Sequence, residues 1–466
     1  MKKIICVFNI ILFTLLCATG VFALEFRMAH GKLSLRANRT PLQDILQRMA
    51  DTGISIQIDP RLNPAVSASF KNRDIQEGLN SILKSVNYVL IWKSVQGESG
   101  NIIKLDEIQV FMPGKKELMK PLGKRSVLSI ARNPKDGSLF VKGEILLRLK
   151  PGADISKIKK FLEQTGGTVT ASNPALGIYK IRVPENSDIP AVAEQLSGYP
   201  GVKSEPNYAY PISMPYMNAS ANHDFSLSDI PLPDGKIPIA VLDTGLDTDS
   251  VPSEYVLASL DAVNMDTSIS DSLGHGTQMA LIASGVVEPY GVVPSSVTGE
   301  EAVRNPVIAI RAFDDNGFTS NYNIMDSVNF ALENGARVMS LSWGSETRSD
   351  FMEDAMNYAN SKGLVIVASA GNEPTGKPRY PAAYESVICV GALNPEGKRW
   401  ENSNYGDFVN LYAPGFATLP VGYKGDPGAY AGTSISTAYE ASRIADYLSK
   451  NPEASKQEIY NALQKP

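Results

Sequence analysis

Two uninterrupted apolar runs in the second half of the chain, residues 237–242 and 364–368, constrain its fold most. A strand that is apolar at every position is expected in a parallel sheet, because helices cover both of its faces. Polar residues follow these runs, Asp243 directly after the first and Asn372 shortly after the second. Open α/β sheets place their functional groups at the carboxyl ends of the strands. We therefore predict that residues 233–466 form an α/β domain, a doubly wound and mostly parallel sheet with a site at that edge.

A histidine and a serine add two reactive side chains to this domain. His275 lies between two glycines, which let backbone and substrate approach its imidazole closely. Ser434 precedes a helical stretch, where a serine also serves as a helix cap. The chain has three histidines, and His30 and His223 lie outside this block. If a Ser-His-Asp site exists, its base is therefore His275.

The polar residues occur in the order Asp243, His275, Asn372 and Ser434. Each surrounding motif is weak alone, but this order resembles that of the subtilase family of serine peptidases. Further segments match the same family: Ser340-Leu341-Ser342-Trp343-Gly344, Ser403-Asn404-Tyr405-Gly406 and Ala413-Pro414-Gly415. The resemblance covers nearly all of residues 233–466 and implies a subtilisin-like fold.

The resemblance also implies a role for each matching residue. Ser434 becomes the nucleophile, His275 the general base, Asp243 the orienting acid and Asn372 an oxyanion-hole donor. Six residues fall on the segments that bind substrate in this family: Ser342, Trp343, Gly344, Ser369, Ala370 and Gly371.

The sequence departs from the subtilase pattern in three places. Gln278 stands where many subtilases carry a second histidine, and residues 435–438 replace the usual Met-Ala-x-Pro without removing a catalytic atom. The stretch between Asp243 and His275 lacks the longer sequence that often contributes to calcium binding. We predict no required cofactor and no metal site. Scattered carboxylates leave calcium open but not assignable: Asp247, Asp249, Asp261, Asp266 and Asp271.

The first half of the chain divides into smaller segments. A basic start, an apolar run over residues 4–16 and small residues before Leu24 predict a signal peptide and export, with no transmembrane segment in the mature chain. Strand and helix patterns predict two small α+β domains after it. The predicted organisation is signal peptide 1–23, first α+β domain 24–113, linker 114–138, second α+β domain 139–210, linker 211–232 and peptidase domain 233–466.

Each small domain resembles a known type. Residues 33–92 resemble the short N-terminal domain of secretins and TonB-dependent transducers in their helix start at Thr40-Pro41 and their Asp59-Pro60 turn. This implies a Gram-negative periplasmic setting and a docking role; an ordinary small fold is the alternative. Residues 139–210 follow a ferredoxin-like order of strands and helices. Their segments 144–152, 175–179 and 205–208 resemble the inhibitor-type propeptide of subtilases.

Charge and cysteine content narrow the function further. Lys plus Arg number 44 against 49 Asp plus Glu, and this balance lacks the basic excess typical of nucleic-acid-binding proteins. Cys6 and Cys17 belong to the predicted signal peptide, and Cys389 is expected to be a small buried core residue. One histidine and one cysteine in residues 233–466 cannot build a typical zinc site, which argues against a metalloprotease.

Together these features predict an exported serine endopeptidase, periplasmic or extracellular, that acts on proteins or peptides through an acyl-enzyme. Its own propeptide is the expected intramolecular inhibitor, released by a cut near Tyr210 or within the second linker. An envelope protein is the expected partner of the first α+β domain. The alternative is a periplasmic interaction protein whose subtilase domain is inactive or permanently inhibited.

Overall fold

The computed structural model describes residues 25–29, 32–50, 54–59, 61–97, 100–122, 127–213, 215–220, 235–248, 250–265, 269–292, 304–421 and 427–463. The predicted signal peptide, residues 1–23, lies outside these ranges. The chain divides into two compact units, residues 1–124 and 125–466.

The first unit contains two sheets and two helices. Its elements are β1 (Glu25–Ala29), β2 (Lys32–Pro41), α1 (Leu42–Ala50), β3 (Ser55–Ile58), β4 (Ala65–Asp74), α2 (Ile75–Ile82), β5 (Asn87–Gly97), β6 (Gly100–Phe111) and β7 (Lys120–Pro121). One sheet has the order β1-β2-β4 and the other β5-β6-β3-β7. The apolar residues of both helices occur at helical spacing, and Leu46 of α1 and Leu79 of α2 are buried in the core of the unit. Asp74 caps α2, because its side chain accepts a hydrogen bond from the Gln76 N–H.

The second unit begins with a small antiparallel sheet covered by two helices. Its elements are β8 (Ile130–Arg132), β9 (Leu139–Leu149), α3 (Ile155–Thr165), β10 (Thr168–Asn173), β11 (Ile178–Arg182), α4 (Ile189–Ser197) and β12 (Val202–Pro211). The sheet order is β10-β11-β9-β12, and β8 also pairs with β9. Gly166, in the left-handed conformation at φ 69°, ends α3 as the glycine after the helical pattern predicts.

The remainder of the second unit is built on a seven-stranded sheet. Its elements are β13 (Tyr216–Ser220), β14 (Ile239–Asp243), β15 (Val256–Asp261), α5 (His275–Ala283), β16 (Val307–Arg311), β17 (Phe318–Ser320), α6 (Asn321–Glu333), β18 (Val338–Leu341), α7 (Asp350–Ser361), β19 (Val365–Ser369), β20 (Val387–Leu393), β21 (Leu411–Pro414), β22 (Phe416–Leu419), β23 (Gly428–Ala431), α8 (Thr433–Lys450) and α9 (Lys456–Leu463).

All neighbours in the seven-stranded sheet, of order β15-β16-β14-β18-β19-β20-β21, are parallel. Alternate residues of β14 enter different cores: Ala240 and Leu242 pack with α6 and α7, whereas Ile239 and Val241 pack with α5 and α8. A strand buried on both faces needs an apolar residue at every position, which explains the uninterrupted runs in the sequence. The predicted α/β architecture is therefore present, with helices on both sides of the sheet.

The two predicted linkers contain paired strands. β7 and β8 lie within residues 114–138, and β13 lies within residues 211–232, where β12 also extends to Pro211. These strands are short or rich in proline, so they carry no alternation that sequence analysis would detect. Backbone pairing with β3, β9 and β23 holds them instead. In the described part of the chain, no helix has the length and apolar character needed to cross a membrane.

Candidate active site

Asp243 and His275 form a buried pair at the carboxyl edge of the seven-stranded sheet. Asp243 is the last residue of β14, and its Oδ1 accepts a hydrogen bond from the Thr244 N–H at 2.7 Å. His275 Nδ1 lies 2.7 Å from the same Oδ1, and both side chains are almost completely inaccessible. Burial lowers the pKa of His275, but the adjacent carboxylate outweighs it, so the net pKa is raised.

Small residues and a second carboxylate hold the backbone around His275. The Gly276 N–H donates to Thr244 Oγ1 at 2.8 Å, and a Cβ on Gly276 would lie 2.3 Å from the carbonyl oxygen of Gly245. Only glycine fits there. Asp271 accepts from the N–H groups of Gly274 and of Thr277, both at 2.8 Å. In the sequence Asp271 is one of several scattered carboxylates, and no local pattern indicates this positioning role.

Ser434 reaches the same edge from the start of α8. Its Oγ donates to the carbonyl oxygen of Ser342 at 3.3 Å, so the hydroxyl is not acting as a helix cap. β14 and β18 are parallel with Val241 opposite Ser340, and Asp243 and Ser342 each lie two residues further along the chain. The residues that contact His275 and Ser434 are therefore neighbours at adjacent strand ends.

Asn372 is fixed beside the start of α8. Its Oδ1 accepts from both the N–H and the Oγ1 of Thr433, each at 2.9 Å. These two bonds determine which way the side-chain amide faces. Nδ2 lies on the side of Gly432, 3.5 Å from the position that a Cβ would take there. An amide donor next to a helix N-terminus and a serine hydroxyl is suited to bind a developing oxyanion.

The six predicted substrate-binding residues lie along two neighbouring strand ends. Residues 342–344 follow β18, and residues 369–371 end and follow β19, which pairs with β18 in parallel. The structure thus brings together all ten residues that the sequence predicts for the site. His30 and His223 lie outside the described residues.

A segment of the chain itself crosses this site. β12 pairs with β17 so that Ala209 lies opposite Ser320, and an antiparallel bridge joins Ile212 to Trp343. The Ile212 N–H also donates to the carbonyl oxygen of Gly317 at 2.8 Å. We call residues 209–213 and 215–220 the cleft segment. The sequence predicted a linker here, because extended pairing with the peptidase leaves no periodic pattern in a Pro- and Met-rich stretch.

Beyond Ser434 the cleft segment pairs with a second strand. β13 pairs with β23 so that Tyr216 lies opposite Ala431, two residues before Thr433. At its other end, Tyr210 is buried, its ring centroid is 5.5 Å from that of Trp343, and its hydroxyl donates to Asn321 Oδ1 at 2.7 Å. The segment is therefore held on both sides of Ser434.

Glu205 anchors the preceding small sheet to the start of α7. Its carboxylate accepts from the Ser349 hydroxyl, from Asn321 Nδ2 at 3.0 Å, and from the N–H groups of Asp350 at 3.2 Å and Phe351 at 3.3 Å. A carboxylate is favourable at a helix N-terminus. Burial nevertheless raises the pKa of Glu205 to about 7.

Other polar contacts join the same two parts of the second unit. Arg148 pairs with Asp354 at 2.5 Å, and Lys203 lies 3.3 Å from the same carboxylate. Asn173 Nδ2 donates to Asp326 Oδ1 at 3.2 Å, and burial raises the pKa of Asp326 to about 6.

The carboxylates considered for calcium are mostly bound to protein donors where the structure describes them. Asp261 pairs with Arg311 at 2.8 Å, and Ser250 Oγ donates to Asp247. Asp249 and Asp266 lie outside the described residues. Within the described ranges, no group of three or more His, Cys, Asp or Glu side chains is arranged to hold a metal ion.

Comparison with known families assigns both parts of the second unit. Residues 234–465 match the subtilase family, and residues 129–207 match the fervidolysin N-terminal prodomain. The prodomain match begins before the predicted boundary at residue 139 and includes β8, which the prediction had placed in a linker.

Individual relatives agree with these matches. The chain is 31% identical over 319 residues to a thermophilic serine proteinase of Bacillus sp. (strain AK1), covering 66% of this chain and 78% of that protein. It is 32% identical over 228 residues to Subtilisin Savinase of Lederbergia lenta, covering 49% and 81% respectively. The crystal structure of fervidolysin from Fervidobacterium pennivorans, a keratinolytic enzyme related to subtilisin, superposes with a TM-score of 0.57 at 24% identity. It covers 72% of this chain and 59% of fervidolysin, and supports the fold.

Proposed function

The chain belongs to the subtilase family and is a subtilisin-like serine endopeptidase, and on this basis we propose that Ser434, His275 and Asp243 are its catalytic triad. The buried Asp243–His275 pair at 2.7 Å is the observation that carries the proposal. His275 Nε2 is buried and has no hydrogen-bond partner among the described residues, which suits it to take a proton from Ser434.

The chemistry follows from these positions. Ser434 Oγ attacks the substrate carbonyl while His275 Nε2 accepts its proton, and His275 returns that proton to the leaving amine. Water then hydrolyses the acyl-enzyme by the same base. Asp243 fixes the imidazole through Nδ1 and stabilises the imidazolium. The Asn372 Nδ2 and the Ser434 N–H bind the tetrahedral oxyanion.

A fluorophosphonate probe tests the nucleophile. We expect the self-cleaved wild type to be labelled and the Ser434→Ala protein, which should remain uncut, to give no label. Ser436→Ala is the matched control, because that buried serine lies on the same helix and donates to the Ala413 carbonyl at 2.9 Å. It should label like the wild type. Labelling of the Ser434→Ala protein would refute the assignment.

We further propose that the small sheet before the peptidase is an inhibitory, ferredoxin-like propeptide and that the cleft segment occupies the site as a substrate would. Two pairings support this and the choice of the bond to be cut. Antiparallel register from Ile212 opposite Trp343 sets Ser213 opposite Ser342, whose carbonyl binds Ser434 Oγ. The pairing of β13 with β23, on the other side of Ser434, supports the same bond.

On that other side, Tyr216 opposite Ala431 sets Pro215 opposite Gly432. A Cβ on Gly432 would lie 3.7 Å from the Cβ of Pro215, in agreement with this register. Ser213 and Pro215 therefore lie on either side of Ser434. The proposed scissile bond is the one on the carboxyl side of Ser213.

Mass measurement of the purified full-length protein tests this bond. We expect a mature chain that begins at residue 214, and an uncut chain for Ser434→Ala. A mature start more than three residues away would refute the register. A wild-type protein that keeps its propeptide covalently attached would favour the alternative of a permanently inhibited interaction protein.

Export and a docking role for the first unit complete the proposal. The basic and apolar start of the sequence supports a signal peptide cut before Leu24. The strand and helix order of residues 33–92 supports a domain of the secretin and TonB type, and therefore an envelope protein partner in the periplasm. Fractionation of cells expressing the protein, with and without residues 2–23, tests export: the truncated protein should stay in the cytoplasm.

A further inference from the structure

One charged side chain lies between the two strand ends that form the proposed substrate walls. Arg379 Nη2 donates to the carbonyl oxygen of Gly344 at 3.0 Å, on the wall that follows β18. On the other wall, its Cδ lies 2.6 Å from the position that a Cβ on Gly371 would take. The Arg379 side chain therefore spans the space between residues 342–344 and residues 369–371.

The backbone next to Arg379 is tied to the same wall. Tyr380 exchanges two hydrogen bonds with Ser345, one of 2.9 Å from the Ser345 N–H and one of 2.7 Å from the Tyr380 N–H. Gly371 has φ 101°, a conformation that strongly favours glycine, and its missing side chain leaves the room that Arg379 occupies. The position of Arg379 is thus fixed by the backbone hydrogen bonds of the adjacent residue and by the space beside Gly371.

Little in the described structure neutralises this guanidinium. Only 15% of the Arg379 side chain is exposed. Its ionic contact is Glu373, at 3.4 Å from Nη1, and that carboxylate is 69% exposed, so solvent screens the pair. Arg379 Nε is buried and has no hydrogen-bond partner among the described residues. A buried donor without an acceptor is costly, and a ligand that supplies an acceptor removes this cost.

We infer that Arg379 determines which residue the peptidase accepts at P1, immediately before the scissile bond, and that it favours glutamate, aspartate and short polar residues. The inference rests on the proposed function, which makes these walls the P1 pocket. A P1 carboxylate would accept charge-assisted bonds from the guanidinium. A P1 lysine or arginine would meet a like charge, and a large aromatic ring would meet a pocket already filled. Ser213, at P1 of the proposed internal cut, is small and polar.

Peptides that copy residues 210–216 and differ only at the position of Ser213 provide the test. We expect kcat/KM of the wild type to be about 10- to 100-fold higher with glutamate than with lysine or phenylalanine, from the usual strength of charged hydrogen bonds. Arg379→Ala should bring the glutamate and lysine peptides close to equality and improve cleavage of the phenylalanine peptide. Arg379→Lys should restore part of the preference for glutamate.

Two nearby substitutions separate this effect from a general change in charge. Lys377→Ala removes an exposed lysine that pairs with Glu346 at 3.1 Å and should leave the P1 profile unchanged. Glu373→Gln removes the screened partner of Arg379 and should increase the preference for glutamate. A wild type that prefers lysine or phenylalanine, or an unchanged profile in Arg379→Ala, would overturn the inference.

Self-cleavage of the full-length chain gives an independent readout. Ser213→Glu should be cut at residue 213 at least as fast as the wild type, and Ser213→Lys more slowly, with this difference lost when Arg379→Ala is added. Fluorophosphonate labelling distinguishes a failure of the proposed catalytic chemistry from a failure of the proposed role of Arg379. A labelled enzyme with the opposite P1 preference overturns the role of Arg379 alone. A wild type that is never labelled removes the proposed chemistry and this inference with it.

Discussion

The affinity of the cleaved propeptide for the peptidase should depend on pH. Replacing Glu205 by glutamine should remove most of this dependence. Glu205 contacts the start of α7 in the docked state, where burial raises its pKa from 4.5 to about 7. Docking therefore favours the protonated carboxyl. The contribution of Glu205 to docking is fully present below pH 4.5 and is lost as the pH rises through about 7.

The size of this effect follows from the two pKa values. Raising the pH from about 5.5 to about 8 should weaken propeptide docking by about 2 kcal/mol, because Glu205 must ionise in the docked state. Because Glu205 is only half-buried, solvent screening reduces this to about 1 kcal/mol, or roughly a fivefold change in Kd. Burial also raises the pKa of Asp326, to about 6. Asp326 therefore adds a smaller part of the pH dependence of docking, at lower pH.

Dilution of the self-cleaved complex, followed by hydrolysis of a fluorogenic peptide, measures this Kd. We expect the wild-type Kd to be roughly fivefold higher at about pH 8 than at about pH 5.5, from the linkage above. Glu205→Gln should keep only the part due to Asp326, and the double variant with Asp326→Asn should be nearly independent of pH. The reasoning fails if Glu205→Gln retains the full wild-type dependence, or if the wild type binds its propeptide more tightly at alkaline pH.

Three further predictions concern single side chains. Asn372→Ala should lower kcat by about 10²–10³ with little change in KM, a magnitude that comes from mutagenesis of subtilisin, a member of this family, rather than from the present geometry. Tyr210→Ala removes a buried aromatic ring and should weaken propeptide docking by about 3–5 kcal/mol, whereas Tyr210→Phe, which loses only the bond to Asn321, should cost about 1 kcal/mol; the dilution assay measures both. Cys389 is buried, and burial raises the pKa of its thiol, so native protein should not react with iodoacetamide while urea-unfolded protein should gain one adduct by mass.

Much of the site was predictable because its residues are tied to local patterns. A strand covered on both faces requires an apolar run, so the position of β14, and of Asp243 at its end, follows from the sequence. Glycines around His275 and before Ser434 mark places where the backbone must approach closely. The order of these residues then indicated the family, and elimination among three histidines left His275 as the candidate base.

Other features depend on residues that are far apart in the sequence. The pairing of Ile212 with Trp343 joins two strands that neither segment predicts alone, so the cleft segment looked like a linker. Arg379 lies in a loop without regular pattern, and its position between Gly344 and Gly371 follows only from how β18 and β19 lie side by side.

The sequence by itself therefore predicted the architecture of the peptidase, a propeptide-like domain before it and a set of candidate reactive groups. These properties follow from burial, which sets hydrophobic periodicity, and from backbone freedom, which requires glycine at particular positions. Only the tertiary structure decided the register of the cleft segment beside Trp343 and the position of Arg379 between Gly344 and Gly371. Strand register and side-chain placement across neighbouring strands depend on contacts between distant segments, and no local pattern encodes them.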